Sequence, residues 1–182
     1  MKKLLVLFTL LLALSLPVLA QEPVPPADQP WSHAAQEIMF AGTFTRDAAT
    51  NHLDGRFAAY WATYVTDQTE IGAAMGYQGD ASGVSGESAG LFYRYNFPRL
   101  KKGNFFMGGT AAAYTGDLRT LANASAMLEG GYRLYIGKHA AAFASVQQTQ
   151  AFGSVSPEGD LLNQTSLMFG FSTGFTPATP IQ

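Results

Sequence analysis

Six charged side chains stand within segments that otherwise alternate large apolar residues with small ones: Glu37, Arg56, Glu70, Arg94, Glu129 and Arg133. In the stretch AMLEGGYRLYI, Glu129 and Arg133 fall on one side of an extended chain, whereas Leu128 falls on the other. A charge inside a narrow interior is costly unless an opposite charge and hydrogen bonds compensate it. The pattern predicts an interior polar network built from these six residues, with the alternative that water near a rim solvates some of them individually.

The histidines and serines do not form an arrangement that is typical of catalysis or of metal binding. His33, His52 and His139 are scattered, with no pair at metal-ligand spacing. A hydrolase acting on lipopolysaccharide would need a nucleophilic serine beside a histidine base. Three alanines follow His139, and the nearest serine on that segment is the distant Ser145. The sequence therefore predicts no enzyme, no catalytic or metal site and no bound cofactor.

Eight segments of similar length must position the charges. Alternation with a period of two, the strand period, is clearest in the fourth, where Leu91 and Tyr93 oppose Phe92 and Arg94. The seventh is rich in alanine, which favours a helix by propensity, and is predicted as a strand because its neighbours need a partner. The predicted strands are Gln36–Thr45, Arg56–Val65, Glu70–Gly79, Ala89–Phe97, Asn104–Tyr114, Ser125–Ile136, Ala140–Ala151 and Gln164–Phe175.

The connections between these segments alternate in length. Those after the second, fourth and sixth are short or moderate, whereas the other four are longer and rich in Gly, Ser, Asp and Asn. This rhythm is typical of an up-and-down sheet with short turns at one rim and long loops at the other. The predicted fold class is all-β, an eight-stranded antiparallel up-and-down transmembrane β-barrel. An aromatic girdle is expected near the short turns, formed by Tyr64, Tyr95, Phe97, Phe105, Tyr132, Tyr135, Phe171 and Phe175.

Composition indicates which strand face meets which surroundings. Charged residues form 13% of the chain, about half of the ~25% typical of soluble domains, while hydrophobic residues form 47%. The face opposite the large apolar residues holds mostly Gly, Ala, Ser, Thr and Gln, which suits a narrow polar interior better than a water-exposed surface. The apolar face is therefore predicted to contact lipid, through Leu91, Tyr93, Leu128, Leu167, Phe169 and Phe171.

The chain divides into four parts. Residues 1–20 have the pattern of a Sec signal peptide, with two lysines before an apolar run. Residues 21–35 hold four prolines and are predicted to be a periplasmic linker, residues 36–175 the barrel domain, and residues 176–182 a C-terminal tail. The chain has no cysteine. Without the leader, nine basic residues face thirteen acidic ones, a net charge of −4 with no basic stripe, so nucleic-acid binding is not expected.

Several stretches resemble the OmpX-like family of small outer-membrane β-barrel proteins, among them GLFYRYNFPRLKKGNFFMGGTAAAY, AMLEGGYRLYIGKHAAAFASV and LMFGFSTGF. The resemblance covers most of residues 36–175 and implies a porin-like barrel in the outer membrane of a Gram-negative-type bacterium. The partners it implies are outer-membrane lipid and lipopolysaccharide, and the barrel-assembly machinery during biogenesis. Members usually end on the last aromatic residue, whereas TPATPIQ follows Phe175 here.

Three functions remain open at the level of sequence. The first is a structural or surface-interaction role through the long loops, with a lumen filled by side chains and a loop partner that the sequence does not identify. The second is a narrow pore for ions or small solutes. The third is a soluble periplasmic barrel that binds a ligand, with its apolar face turned inward.

Overall fold

Eight antiparallel strands close into a barrel. The computed structural model describes residues 31, 34–46, 53–79, 85–153 and 164–175; the predicted signal peptide and C-terminal tail lie outside these ranges. Each strand pairs with its neighbours in the sequence, which confirms the predicted fold class of an eight-stranded antiparallel barrel. The elements are β1 (Gln36–Arg46), β2 (Leu53–Tyr64), β3 (Thr69–Gly79), β4 (Ser85–Asn96), β5 (Gly103–Tyr114), α1 (Leu118–Leu121), β6 (Ala124–Tyr135), β7 (Ala140–Phe152) and β8 (Gln164–Phe175).

The seam between the first and last strands closes the sheet. It runs over seven residue pairs, from Gln36 opposite Phe175 to Gly42 opposite Phe169. Every strand therefore has two hydrogen-bonded neighbours, and the ring of eight described strands is closed. The alanine-rich seventh segment is a strand as predicted, because it pairs along its length with β6 and β8.

Most strand boundaries lie within one residue of those expected from sequence, but β2 and β4 begin three and four residues earlier. β4 begins at Ser85, four residues before the predicted start, because its first residues continue the ladder with β3, with Ser85 opposite Gly79. The connection between β5 and β6 contains α1, where a loop was expected; its Leu118 is buried against the lumen-facing Tyr114. Of the helices in the described ranges, none is long and apolar enough to cross a membrane.

The two ends of the barrel differ in their connections. Residues 65–68, 97–102 and 136–139 join strands at one end, the short-turn rim. The backbone N–H of Tyr135, the last residue of β6, donates to the carbonyl oxygen of Lys102 at 2.9 Å, which brings the end of the 97–102 connection beside the start of the 136–139 connection. β1, β3, β5 and β7 end at the opposite end, the long-loop rim.

Alternate side chains along each strand point to opposite sides of the barrel wall. In β8, Ser166 and Met168 are buried, whereas Leu167, Phe169 and Phe171 are 57%, 61% and 67% exposed. The other residues predicted for the apolar outer face are exposed as well: Leu91, Tyr93 and Leu128. The buried side includes charged and amide groups in addition to apolar ones. The barrel thus has a largely apolar outer surface and a mixed, polar interior.

Three clusters of apolar side chains fill the interior at successive heights. The central one includes Met39, Phe92, Phe106, Phe143 and Met168. Near the long-loop rim, Tyr114, Leu118, Ala122 and Ala151 form the second. Near the short-turn rim, Trp31, Ala35, Tyr64 and Ala141 form the third, so Trp31, within the predicted linker, packs inside the barrel end.

Inward-facing glycines provide room for the rings in the lumen. A Cβ atom at Gly131 would lie 2.7 Å from Cζ of Phe106 and 2.8 Å from Cβ of Ser145, and it would also meet the carbonyl oxygen of Ala144. At the neighbouring Gly130, the nearest atom to such a Cβ is the carbonyl oxygen of Phe106 at 3.9 Å. The two adjacent glycines therefore differ in whether a methyl group fits.

We predict that Gly131→Ala lowers the free energy of unfolding by about 1–3 kcal/mol, because the added methyl group overpacks the lumen against Phe106. Gly130→Ala is the matched control and is expected to leave stability unchanged or slightly higher, since its methyl group makes no contact closer than ordinary van der Waals distance. Urea unfolding of both variants in detergent micelles measures the difference. Equal midpoints for the two variants would contradict the close packing at Gly131.

Candidate functional site

Five buried charged residues meet inside the barrel, and we call them the central charge cluster: Glu37, Glu70, Arg94, Glu129 and Arg133. They come from β1, β3, β4 and β6, so their contacts cross the lumen as well as following the wall. The strand register places some of them at one height. Glu70 lies opposite Arg94 between β3 and β4, and Gly108 of β5 lies between Arg94 and Glu129. Because Gly108 has no side chain, the strand between these two residues leaves space for their contact.

Arg94 is held by charge, by sulfur and by aromatic rings. Its Nε and Nη2 atoms donate to Oε1 of Glu129 at 2.9 and 2.7 Å. Its Nη1 lies 3.6 Å from Oε2 of Glu70 and donates to Sδ of Met39. Its guanidinium also stacks on the ring of Phe106, 4.5 Å from the centroid. These contacts fix the group across the middle of the lumen.

Arg133 lies nearer the short-turn rim and joins two carboxylates. Its Nη2 is 3.1 Å from Oε2 of Glu37 and 3.1 Å from Oε1 of Glu70. Its Nη1 donates to the hydroxyl of Tyr64 at 2.6 Å and makes a longer contact of 3.4 Å with Oδ1 of Asn96. Glu70 thus contacts both arginines and links the two halves of the cluster.

Neutral polar side chains complete the hydrogen bonding around the charges. The Tyr64 hydroxyl donates to Glu37 at 3.1 Å, and Nδ2 of Asn96 donates to Glu70 at 2.5 Å. Asn104 donates to Asn96 at 3.0 Å, and the Tyr135 hydroxyl donates to Asn104 at 2.7 Å. This chain of bonds extends the cluster towards the short-turn rim. Three carboxylates facing two guanidiniums leave an excess of one acidic group, and these donors help to solvate it.

The neutral members of the network were not identified from the sequence, and two of them were assigned to the wrong face. Tyr64 is 2% exposed and points into the lumen, where an outer girdle position was expected, and Tyr135 also turns its hydroxyl inward. Alternation along the strands predicts the inward direction of both side chains, because Tyr64 follows Tyr60 and Ala62 at a spacing of two and Tyr135 follows Arg133 at the same spacing. Both tyrosines follow this alternation, whereas the expected girdle position followed from their aromatic character alone.

Arg56 lies apart from the other five predicted network residues. Between β2 and its neighbours, Arg56 is paired with Thr43 and Gln78, whereas Glu37 is paired with Ala62. Six residues of strand separate the two positions on β2, about 20 Å of chain. Arg56 is partly buried near the long-loop rim, with its guanidinium against the side-chain amide of Gln164. The structure therefore brings five of the six residues together.

Both sides of the cluster are closed by rings and sulfur-containing side chains. Towards the short-turn rim, Trp31 is 2% exposed, and Cζ of Arg133 lies 5.4 Å from the centroid of its ring. A Cβ atom at Gly174 would lie 2.6 Å from the Trp31 ring, which shows how closely this ring fits. Towards the long-loop rim, Nε2 of Gln147 contacts both Oε2 of Glu129 and Sδ of Met168. Side chains therefore occupy the lumen on both sides of the ion pairs.

A cavity of about 90 Å³ lies on the long-loop side of the cluster. Its walls include Tyr60, Thr110, Gln147, Thr149 and Met168. Oγ1 of Thr110, Oγ1 of Thr149 and Oε1 of Gln147 are buried and have no hydrogen-bond partner among the described residues, so several water molecules would fit and bond here. Gln147 lines the cavity and lies 3.4 Å from Oε2 of Glu129, so the cavity is next to the cluster.

The arrangement is suited to filling and bracing a lumen. Within the described ranges, no group of three or more His, Cys, Asp or Glu residues could hold a metal ion. His139 is used structurally, with its Nδ1 atom 3.0 Å from the carbonyl oxygen of Gly174, so it is directed at the β7–β8 seam and not at Ser145, which is buried without a partner.

Comparison with known proteins identifies solved structures with a similar fold. No protein-family model and no curated protein matches the sequence. Among solved structures, the N-terminal β-barrel domain of Pseudomonas aeruginosa OprF is similar, with a TM-score of 0.57 and 15% identity, covering 79% of this chain and 98% of that one. Neisserial surface protein A, NspA, is similar with a TM-score of 0.53 and 8% identity, covering 77% of this chain and 96% of that one. These similarities concern the fold, and membership of the OmpX-like family is not shown.

We predict that Glu129→Ala lowers the free energy of unfolding by about 3–5 kcal/mol, because it leaves the buried guanidinium of Arg94 without its closest carboxylate. Glu87→Ala, which removes an exposed carboxylate from β4, is the matched control and is expected to change stability by no more than about 0.5 kcal/mol.

The double variant Arg94→Met with Glu129→Gln separates the ion pair from general packing. It is expected to recover much of the stability lost in Glu129→Ala, since replacing both partners leaves neither charge of the pair uncompensated. Urea unfolding in detergent provides the midpoints. An unchanged midpoint in Glu129→Ala would remove Glu129 from the network.

Proposed function

We propose that the protein is a bacterial outer-membrane β-barrel protein whose lumen is closed by its own side chains and whose role is structural or interactive through the long loops. The main support for this proposal is that the distribution of side chains is the reverse of that in a soluble protein, with charged residues inside and large apolar residues outside. Charged residues such as Arg94 and Arg133 are fully buried, while Leu91, Leu128 and Phe171 are 72%, 69% and 67% exposed. Such an outer surface is stable in lipid and unfavourable in water.

The inverted distribution argues against the soluble ligand-binding barrel. A soluble barrel would turn its large apolar residues inward around a ligand and charged residues outward to water. Here the exposed large apolar residues occur on all eight strands, from Phe40 on β1 to Phe175 on β8. A cavity in the described lumen, of about 90 Å³, is lined by polar as well as apolar side chains. The membrane location is therefore the better supported of the two.

The similar solved structures support the same location. The N-terminal domain of OprF and NspA are small outer-membrane β-barrels, and the present barrel has their strand number and closure. At 15% and 8% identity, this similarity supports an outer-membrane barrel in general and no particular activity. Export by the predicted Sec signal peptide and insertion by the barrel-assembly machinery are part of the proposal.

The closed lumen favours a structural or surface-interaction role over a pore. An eight-stranded barrel has an interior only wide enough for side chains to fill. The centre of this lumen is crossed by the ion pair of Arg94 with Glu129 and by the packed rings of Phe106 and Phe143. Trp31 occupies the short-turn end. A solute would have to displace ion pairs as well as rings to pass. Contacts with other molecules are then left to the outer surface and the rims, with lipid and lipopolysaccharide as the proposed surroundings.

The proposal includes no catalytic role. The carboxylates of the cluster are bound to guanidinium groups, to Tyr64, to Asn96 and to Gln147, which makes them structural ion-pair partners. A general base must instead reach a substrate proton.

We predict that Leu128→Arg strongly impairs insertion into lipid bilayers, because a guanidinium near the middle of the outer face costs about 2–4 kcal/mol there. Ser125→Arg on the same strand is the matched control: Ser125 borders the lumen cavity, so its guanidinium reaches water. Insertion is measured by gel migration with and without boiling, since a folded barrel migrates differently from its unfolded chain. Equal insertion of both variants would contradict a lipid-facing Leu128.

We also predict that the unmodified protein gives no large, steady current in a planar bilayer, because the charge cluster blocks the lumen. Replacing Arg94 and Glu129 together by serine removes the central ion pair and is expected to raise the current in protein that still shows the folded gel migration. Large, steady conductance of the unmodified protein would favour the pore instead.

A further inference from the structure

The two rims of the barrel carry opposite charge. The short connections 65–68, 97–102 and 136–139 contain Arg99, Lys101, Lys102 and Lys138 against the single acidic Asp67, a net charge of +3 with histidine neutral. The four long connections contain five acidic residues and one basic residue in the sequence, a net charge of −4. The positive charge thus lies at the short-turn rim, where the connections between strands are shortest.

Three of these basic side chains, the lysines, form no ion pair with a described residue. Arg99 folds over the barrel end, with its guanidinium 4.1 Å from the centroid of the Tyr135 ring. Lys101, Lys102 and Lys138 are exposed, and none of them forms an ion pair with any residue that the structure describes. Their two turns are neighbours, because Tyr135 donates its backbone N–H to Lys102. The three lysines therefore form one patch, which we call the lysine patch.

An aromatic cluster lies on the outer wall beside this patch. Tyr95 and Phe97 pack edge to face at the end of β4, with centroids 5.3 Å apart. Phe105 and Tyr132 pack in the same way across β5 and β6, at 4.9 Å. A Cβ atom at Gly103 would lie 2.6 Å from the hydroxyl oxygen of Tyr132, so this phenol points along the wall towards the turn that carries the lysines.

We infer that the lysine patch and the aromatic cluster together bind the headgroup of an anionic phospholipid in the leaflet at the short-turn rim. This inference rests on the proposed membrane location. Aromatic rings at the bilayer boundary lie at the level of the headgroups, and basic side chains directly beyond them meet the lipid phosphates. Apolar stems of lysine can lie along the rings while the ammonium groups reach the headgroup.

The outer wall favours a lipid over an acidic soluble partner. An acidic soluble protein would contact only the lysines and would leave the neighbouring apolar surface unused. That surface continues up to the turn that holds Lys138, through Leu134 and Ile136, which are 43% and 61% exposed. A molecule with an apolar tail and an anionic head matches this continuous surface. The four long connections contain no lysine in the sequence, so the inference concerns the short-turn rim.

The test measures lipid retention by native mass spectrometry of the full chain, folded in detergent and mixed with equal amounts of phosphatidylglycerol and phosphatidylcholine. The unmodified protein is expected to retain phosphatidylglycerol preferentially. Neutralising the patch in the triple variant Lys101→Gln, Lys102→Gln, Lys138→Gln is expected to reduce that preference at least about fivefold, the effect of losing one basic side chain near a membrane surface. The triple lysine-to-arginine variant should keep it, and Arg119→Gln at the opposite rim should leave it unchanged.

Gel migration after mixing with phosphatidylcholine vesicles separates this inference from the proposed function. A chain that inserts into no bilayer would overturn both. A chain that inserts but retains the two lipids equally, before and after neutralisation, would overturn the lipid site alone. Displacement of phosphatidylglycerol by excess inorganic phosphate would indicate a site for small anions and would also overturn it.

Discussion

The closure of β1 onto β8 is the constraint on which the rest of the structure depends. Once the eight strands form a ring, the alternation of side chains along each strand becomes a division between an enclosed lumen and an outer wall. Eight strands leave a lumen that side chains alone can fill. A charge on the inward phase in the middle of the barrel is therefore removed from water, and a large apolar residue on the outward phase is left without protein to cover it.

The buried charges follow from that enclosure. Arg94 and Arg133 have no path to solvent, so each is held by a carboxylate on another strand and by aromatic rings. Glu70 contacts both guanidiniums, and the amide and phenol groups around it extend the bonding towards the short-turn rim. Because the contacts cross the lumen, the same interactions that satisfy the charges also brace opposite walls and obstruct passage. The ion pairs and hydrogen bonds across the lumen therefore stabilise the barrel and fill its interior at the same time.

The two ends of the barrel are built differently. The short-turn end is filled by Trp31 and covered in part by Arg99 on Tyr135, and it carries the exposed lysines. Towards the long-loop end, the lumen contains a cavity with unbonded hydroxyl and amide groups, consistent with access for water. In the proposed membrane location, this asymmetry would distinguish the two ends of the barrel. It also leaves the outer wall and the rims as the surfaces available to other molecules.

The sequence by itself determined the strand number, most strand boundaries and which residues of β4, β6 and β8 face outward. Those features follow from local alternation and from turn composition, which each segment carries independently of the others. It also singled out Glu37, Glu70, Arg94, Glu129 and Arg133, because charges on an otherwise small and polar face are conspicuous. Only the tertiary structure decided which of these meet, since register between strands sets height in the lumen. That register separates Arg56 from the cluster, brings Tyr64 and Asn96 into it, and places the ring of Trp31 in the barrel end.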